Sequence, residues 1–138
     1  MSVEKRVHTF QPDKYKLVIV DDDPEMRSLL ADELEEEGYQ VTLAKNGLDI
    51  LSEIPFQSFD LMITDWKLPL RNGLQILSSV QEVHPEMPVV LITAFGDAKI
   101  RKKVEKAGAI YLQKPFSMEA FKKMVRSLLS KKKELKIA

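Results

Sequence analysis

Five short apolar runs punctuate this chain, and a stretch with helical spacing follows each one. The runs are "KLVIV" (residues 16–20), "QVTLA" (40–44), "FDLMITD" (59–65), "MPVVLITA" (87–94) and "AIYLQK" (109–114). They are too short for ordinary helices. The first is a short apolar, β-branched run, as strands buried on both faces are, and the fourth reads as buried in the same way. Strands alternating with helices demand a parallel sheet covered on both sides, because each crossover helix returns the chain to the start of the next strand. Crossovers of one hand then restrict the topology to a doubly wound open sheet.

The segments between the runs carry their own start and stop signals. Residues 23–39, "DPEMRSLLADELEEEGY", place Met26, Leu29, Leu30 and Leu34 on one stripe, with Pro24 suited to the first turn and Gly38 to the end. Asp23, just before Pro24, reads as a cap near the positive helix end. Residues 46–54 form a short second helix with Leu48, Leu51 and Ile54. Pro69 and Asn72-Gly73 mark a turn, followed by a helix with Leu74, Leu77 and Val80 on one face. Residues 96–108 make a polar helix with a thin stripe, Ile100 and Val104, stopped by Gly108. In the last helix Ser117 is the cap and Met118, Phe121, Val125 and Leu128 face inward. The predicted fold class is α/β: a single doubly wound (βα)5 flavodoxin-like domain, with a five-stranded parallel sheet in order 2-1-3-4-5. Residues 1–14 read as a flexible arm, 15–130 as the domain, and 131–138 as a basic tail or the start of a linker.

The 138 residues suffice for one domain with a real core. There is no cysteine, which excludes disulfides and thiolate metal sites. Residues 1–16 have no apolar core of the secretory kind, and no run is long enough to cross a bilayer, so a cytoplasmic protein without membrane contact is expected. Lysine plus arginine and aspartate plus glutamate both number 21, a balance that argues against direct nucleic-acid binding. The balance hides an asymmetry. Residues 21–37 hold nine acids and a single base, Arg27, whereas residues 99–136 are mostly basic. Most of these charges read as solvated helix faces, the lysines at 131–133 among them.

In sheets of this topology, ligands bind beyond the carboxyl ends of the strands, at the point where strand order reverses. Here that point falls between the first and third strands. Asp21 and Asp22 end the first strand and Asp65 ends the third. Three carboxylates at one place resist ionising together. A hard divalent cation with oxygen ligands relieves them, and Mg²⁺ fits because it takes one or two carboxylates and keeps waters for a phosphate to displace. Thr93 ends the fourth strand and Lys114, before Pro115, the fifth. Singly, each reads as an ordinary turn acid, strand threonine or exposed lysine. A hydroxyl, a lysine and a cation together are what phosphoryl oxygens need around them.

The segments "VDDDPEMR", "FDLMITDWKLPLRNG", "PVVLITA" and "LQKPF", in this order and at these strand ends, resemble the receiver (CheY-like) domain of two-component response regulators over about residues 15–130. The resemblance implies that Asp65 accepts a phosphoryl group from a phosphohistidine of a sensor histidine kinase or phosphotransfer protein. Asp22 and Asp65 then bind Mg²⁺ directly, Asp21 binds it through water, and the Lys67 backbone carbonyl completes the protein ligands. Thr93 and Lys114 take phosphoryl oxygens, Lys114-Pro115 is cis, and Tyr111 is the switch aromatic that follows Thr93. It further implies an output face made by the fourth helix, fifth strand and fifth helix, here including Lys99, Arg101, Lys102, Tyr111 and Lys122. That face is compatible with phosphorylation-driven homodimerisation, with control of a partner, or with control of an attached output domain. Lys67 and Phe95, two residues beyond Asp65 and Thr93, depart from common forms of the family or vary within it, and are expected to set the lifetime of the phosphorylated state. Trp66 is a neighbour able to report the site by fluorescence; His8 and His84 carry no phosphoryl role.

Two other functions fit parts of the pattern. Aspartate-nucleophile phosphatases need a second acid two residues after the nucleophile, where this chain has Lys67, so a switch is expected rather than an enzyme. A binding module that signals without phosphate does not need the acids, Thr93 and Lys114 together. A small phosphodonor with Mg²⁺ separates the three readings.

Overall fold

In the computed structural model the five runs form five parallel strands: β1 (Lys16–Val20), β2 (Gln40–Ala44), β3 (Leu61–Asp65), β4 (Val89–Thr93) and β5 (Ile110–Gln113). Their order across the sheet is 2-1-3-4-5, as expected from the alternation. The structure describes residues 10–46, 49–50, 52, 58–67, 72–94 and 98–137, the last six of these by backbone only. Four helices are described: α1 (Pro24–Glu36), α2 (Gly73–Val83), α3 (Ala98–Lys106) and α4 (Met118–Ile137). The predicted fourth and fifth helices are therefore α3 and α4. The predicted second helix lies mostly outside the described residues. Of it, Asp49, Ile50 and Ser52 are helical, Ile50 is buried, and the Asn46 side chain accepts from the Asp49 N–H at 3.0 Å.

Side-chain alternation along the strands splits the core into two layers. Val18, Val20, Met62, Val89 and Leu91 pack with Ile76, Leu77 and Val80 of α2 and Val104 of α3. Leu17, Ile19, Leu61, Ile63, Val90 and Ile92 pack on the other face with Leu30 and Leu34 of α1 and Phe121, Val125 and Leu129 of α4. Slipping any central strand by one residue would exchange these two sets, so the register is strongly specified. Register in turn aligns the strand ends: Asp65 is opposite Ile92, and Thr93 opposite Gln113.

The helix ends follow the local chemistry. Asp23 caps α1 by accepting from the Glu25 N–H at 3.0 Å, with Pro24 in the first turn. Asn72 and Gln75 form a reciprocal capping box at α2, with bonds of 3.0 and 2.9 Å. Ser117 accepts from the Ala120 N–H at 3.0 Å ahead of α4. Gly38 and Gly108 follow α1 and α3 with φ of 103° and 86°, a region that favours glycine.

The structure differs from the sequence reading in several places. On α1 the buried positions are Leu30, Ala31 and Leu34, while Leu29 is 46% exposed. On α4 the fully buried residue of the third turn is Leu129, while Leu128, read as inward, is only partly buried against the same layer. In both cases helical spacing allowed either neighbour, and the crossing of helix over sheet selected one. The third difference is at the amino end. Residues 10–14, read as part of an arm, enter through a 3-10 turn (Pro12–Lys14), and the Phe10 ring stacks on Tyr15 at 5.3 Å, meets Tyr39 edge-on at 6.2 Å and lies under the Arg126 guanidinium of α4 at 4.8 Å. At the other end, α4 is helical through residues 131–137, which the sequence marks as a basic tail.

Candidate functional site

The site forms where β1 and β3 end side by side. Asp21 follows β1, and its N–H donates to the Ala44 carbonyl of the neighbouring strand at 3.2 Å. Its side chain is 2% exposed and accepts the Asp23 N–H at 2.9 Å. Asp22, the next residue, is exposed, and Asp65, the last residue of β3, is half-buried. One carboxylate oxygen from each of Asp21, Asp22 and Asp65 lies within 4.8 Å of the others. Strands that start more than forty residues apart in the sequence thus deliver three like charges to one spot.

Burial holds the Asp21 carboxyl above its ordinary pKa, and the nearby Asp65 and Asp22 charges push the same way. The bond from the Asp23 N–H and the Lys114 ammonium oppose that shift without cancelling it. A carboxylate strained in this way, beside two others and surrounded by oxygen donors, fits a hard divalent cation: the donor set is all oxygen, and added positive charge removes the repulsion. Mg²⁺ is compatible with this set.

The other predicted residues line the same rim. Lys114 Nζ is 3.6 Å from Asp65 Oδ2, with both side chains partly screened from solvent. The Lys67 N–H donates to Asp65 Oδ1 at 3.1 Å, so each carboxylate oxygen of Asp65 faces a donor or a cation. Thr93 is 1% exposed at the end of β4, and its carbonyl takes the Lys114 N–H at 2.8 Å, which ties the ends of β4 and β5 together. The Lys114-Pro115 peptide is cis, as the resemblance implied. Trp66 is half-buried against the first core layer, and its N–H donates to the Ile92 carbonyl at 2.8 Å. Phe95 lies outside the described residues.

Gly73 closes the floor of the site. Its N–H donates to the Trp66 carbonyl at 2.8 Å. A Cβ at this position would sit 2.3 Å from Leu91 Cδ2 and 3.2 Å from both the Asp65 carbonyl oxygen and Trp66 Cα, so only glycine lets α2 start this close to the end of β3. On the proposed output side, Tyr111 is half-buried with the Arg101 guanidinium 5.6 Å from its ring centroid, and Lys99, Arg101 and Lys102 of α3 are exposed. Lys122 of α4, read as part of that face, is drawn toward α1. Its ammonium pairs with Glu33 of α1 at 2.5 Å, and the acids Glu36 and Glu37 hold its pKa further up after that bond.

Sequence reasoning missed one contact at the site. Arg27 Nη1 donates to the Asp21 carbonyl at 2.8 Å. The signal available for it was the lone base among nine acids.

The fold and the site define an α/β protein with an oxygen-lined acidic pocket at its topological switch point, bordered by a lysine and a buried hydroxyl. The profile of the family described as the response regulator receiver domain matches residues 17–126. The chain belongs to that family. It is 33% identical over 117 residues to the response regulator protein PilR of Pseudomonas aeruginosa, covering 84% of this chain and 26% of that protein. It is 31% identical over 115 residues to sporulation initiation phosphotransferase F of Bacillus subtilis, covering 83% of this chain and 93% of that one. Among solved structures it superposes on a CheY-like response regulator receiver domain protein from Methanospirillum hungatei, with TM-score 0.83 and 26% identity, over 87% of this chain and 97% of that one. The chain thus spans about a quarter of the length of the first of these relatives and nearly all of the second. The family is one of signalling switches in two-component systems rather than of classical enzymes.

Proposed function

We propose that this chain takes a phosphoryl group onto the Asp65 carboxylate from a phosphohistidine of a sensor histidine kinase or phosphotransfer protein. An Asp65 oxygen attacks phosphorus, the new P–O bond replaces the P–N bond, and the imidazole leaves with the electron pair. Asp22 and Asp65 would hold Mg²⁺ directly, with Asp21 behind a water and the Lys67 carbonyl completing the set. The ion would supply positive charge that offsets repulsion between the acids and the incoming group. The observation that carries this reading is the convergence of Asp21, Asp22 and Asp65 within 4.8 Å, with Lys114 at 3.6 Å from Asp65.

The product adds about −1.5 to −2 charges beside Thr93 and Lys114. Lys114 already faces Asp65 and follows the new oxygens; the Thr93 hydroxyl becomes their donor. The backbone link between Thr93 and Lys114 couples that movement to β5, and so to Tyr111 and the face formed by α3, β5 and α4. That face would control a partner, an attached output domain, or pairing with a second copy. The proposed setting is the cytoplasm, where such kinases present their phosphohistidine; among the described residues no helix is long and apolar enough to cross a membrane.

The test is incubation with a small acyl phosphate donor and Mg²⁺, followed by intact mass measurement. One labile phosphoryl adduct is expected on the wild type and none on Asp65→Asn. An adduct that survives in Asp65→Asn rejects the assignment, and continuous release of phosphate over many turnovers points to an enzyme instead.

A further inference from the structure

Arg27 is the only base among the ten charged residues between positions 21 and 37. It stands in the first turns of α1, where the positive end of the helix opposes a cation. A residue that breaks a local rule needs a compensating contact. Arg27 has one: its half-buried side chain reaches back six residues and Nη1 donates to the Asp21 carbonyl at 2.8 Å.

That bond completes a closed set. The Asp21 side chain accepts from the Asp23 N–H at 2.9 Å, the Asp23 side chain from the Glu25 N–H at 3.0 Å, and the Asp23 carbonyl from the Arg27 N–H at 2.9 Å. The Arg27 guanidinium then fastens the peptide between Asp21 and Asp22, the two acids that the proposed cation needs. Both the direction in which Asp22 leaves the backbone and the placement of Asp21 depend on that peptide plane. The guanidinium binds a backbone oxygen, so the carboxylate oxygens remain available to an ion.

We propose that Arg27 is a positioning residue for the divalent cation site: it locks the Asp21–Asp22 turn in the geometry the ion requires. The inference rests on the reading that Asp21, Asp22 and Asp65 hold Mg²⁺. Two effects oppose each other, which makes the test one of sign. Removing a positive charge beside an acidic cluster tightens cation binding by Coulomb attraction alone. Removing a positioning contact weakens it, and groups that orient metal ligands typically matter by 10–100-fold in affinity.

The experiment is calorimetric titration of the whole chain with MgCl2 at fixed ionic strength, for wild type, Arg27→Ala and Arg27→Lys, with thermal melts of each without the ion. We expect Arg27→Ala to fold cooperatively and to bind Mg²⁺ about tenfold more weakly. Arg27→Lys, which keeps a cation and a donor for the same carbonyl, recovers affinity. Equal or tighter binding by Arg27→Ala overturns the proposal, as does a lysine variant as weak as the alanine one. A wild type that does not bind Mg²⁺ overturns the underlying cation reading instead, so the two failures are distinguishable.

Discussion

Replacing Asp21 with asparagine should stabilise the protein in the absence of metal. Asp21 is 2% exposed, and its carboxylate lies within 4.8 Å of those of Asp22 and Asp65. At an effective permittivity of about 20, two like charges at that separation repel by roughly 3–4 kcal/mol. The pair with Asp22 is weaker, because Asp22 is exposed and its field falls toward the bulk-water figure of about 1 kcal/mol. Losing the attraction of Lys114 offsets part of the gain. Asparagine keeps the shape of the side chain and an oxygen to accept the Asp23 N–H. The net expectation is about 2 kcal/mol of stabilisation, or a rise in Tm of about 6 °C for a chain of this size. Circular-dichroism melts at neutral pH without metal read it directly. Millimolar MgCl2 should raise the Tm of the wild type, because a ligand that binds only the folded state stabilises it, and should do little for the variant. The pH dependence carries the same sign. The native pKa of Asp21 is raised, so the native state keeps this proton at pH values where the unfolded chain has lost it; stability from this group is present in acid and lost as pH rises through the native pKa. The gap between variant and wild type should therefore close as pH falls toward the ordinary carboxylate range. A metal-free variant that melts at or below the wild-type temperature at neutral pH would refute the idea that the pocket is electrostatically strained.

Two packing predictions accompany it. Gly73→Ala should lower the Tm, because its Cβ would lie 2.3 Å from Leu91 Cδ2 in a filled core, and overpacking of this kind costs about 1–3 kcal/mol; a melt unchanged from wild type would show that Leu91 moves aside freely. Leu129→Ala should destabilise by about 2–5 kcal/mol in urea unfolding, since its side chain is fully buried, while Leu128→Ala should cost clearly less; equal losses would mean that α4 is rotated from the position described.

Much of the site was legible before any coordinates, because in a parallel sheet the chemistry collects at strand ends and strand ends show in a sequence. "LVIVDDD" and "LMITD" announce where apolar burial stops and carboxylates begin. The capping box at Asn72 and Gln75 was legible in principle, since the two residues stand three apart at the start of a periodic stretch, yet the adjacent Asn-Gly pair reads first as a turn. Lys122 falls on the output face in the sequence reading, but the sequence could not show its partner. On α4 it is spaced to reach either neighbour, and the helix's packing against α1 brings it to Glu33.

The amino-acid order alone determined the alternation of strands and helices, the stops at Gly38 and Gly108, and the presence of an acid, a hydroxyl or a lysine at each of four strand ends. These are local properties: hydrophobic period, glycine's access to positive φ, and the side a residue takes when a strand finishes. Only the tertiary structure decided that the three carboxylates come within 4.8 Å, that Arg27 turns back onto the Asp21 carbonyl, that Leu129 is fully buried while Leu128 is only partly so, and that Phe10 docks between Tyr15, Tyr39 and Arg126. Each of those outcomes depends on how a helix crosses the sheet or on partners distant in the chain, and a one-dimensional period specifies which face a residue occupies without specifying what meets it there.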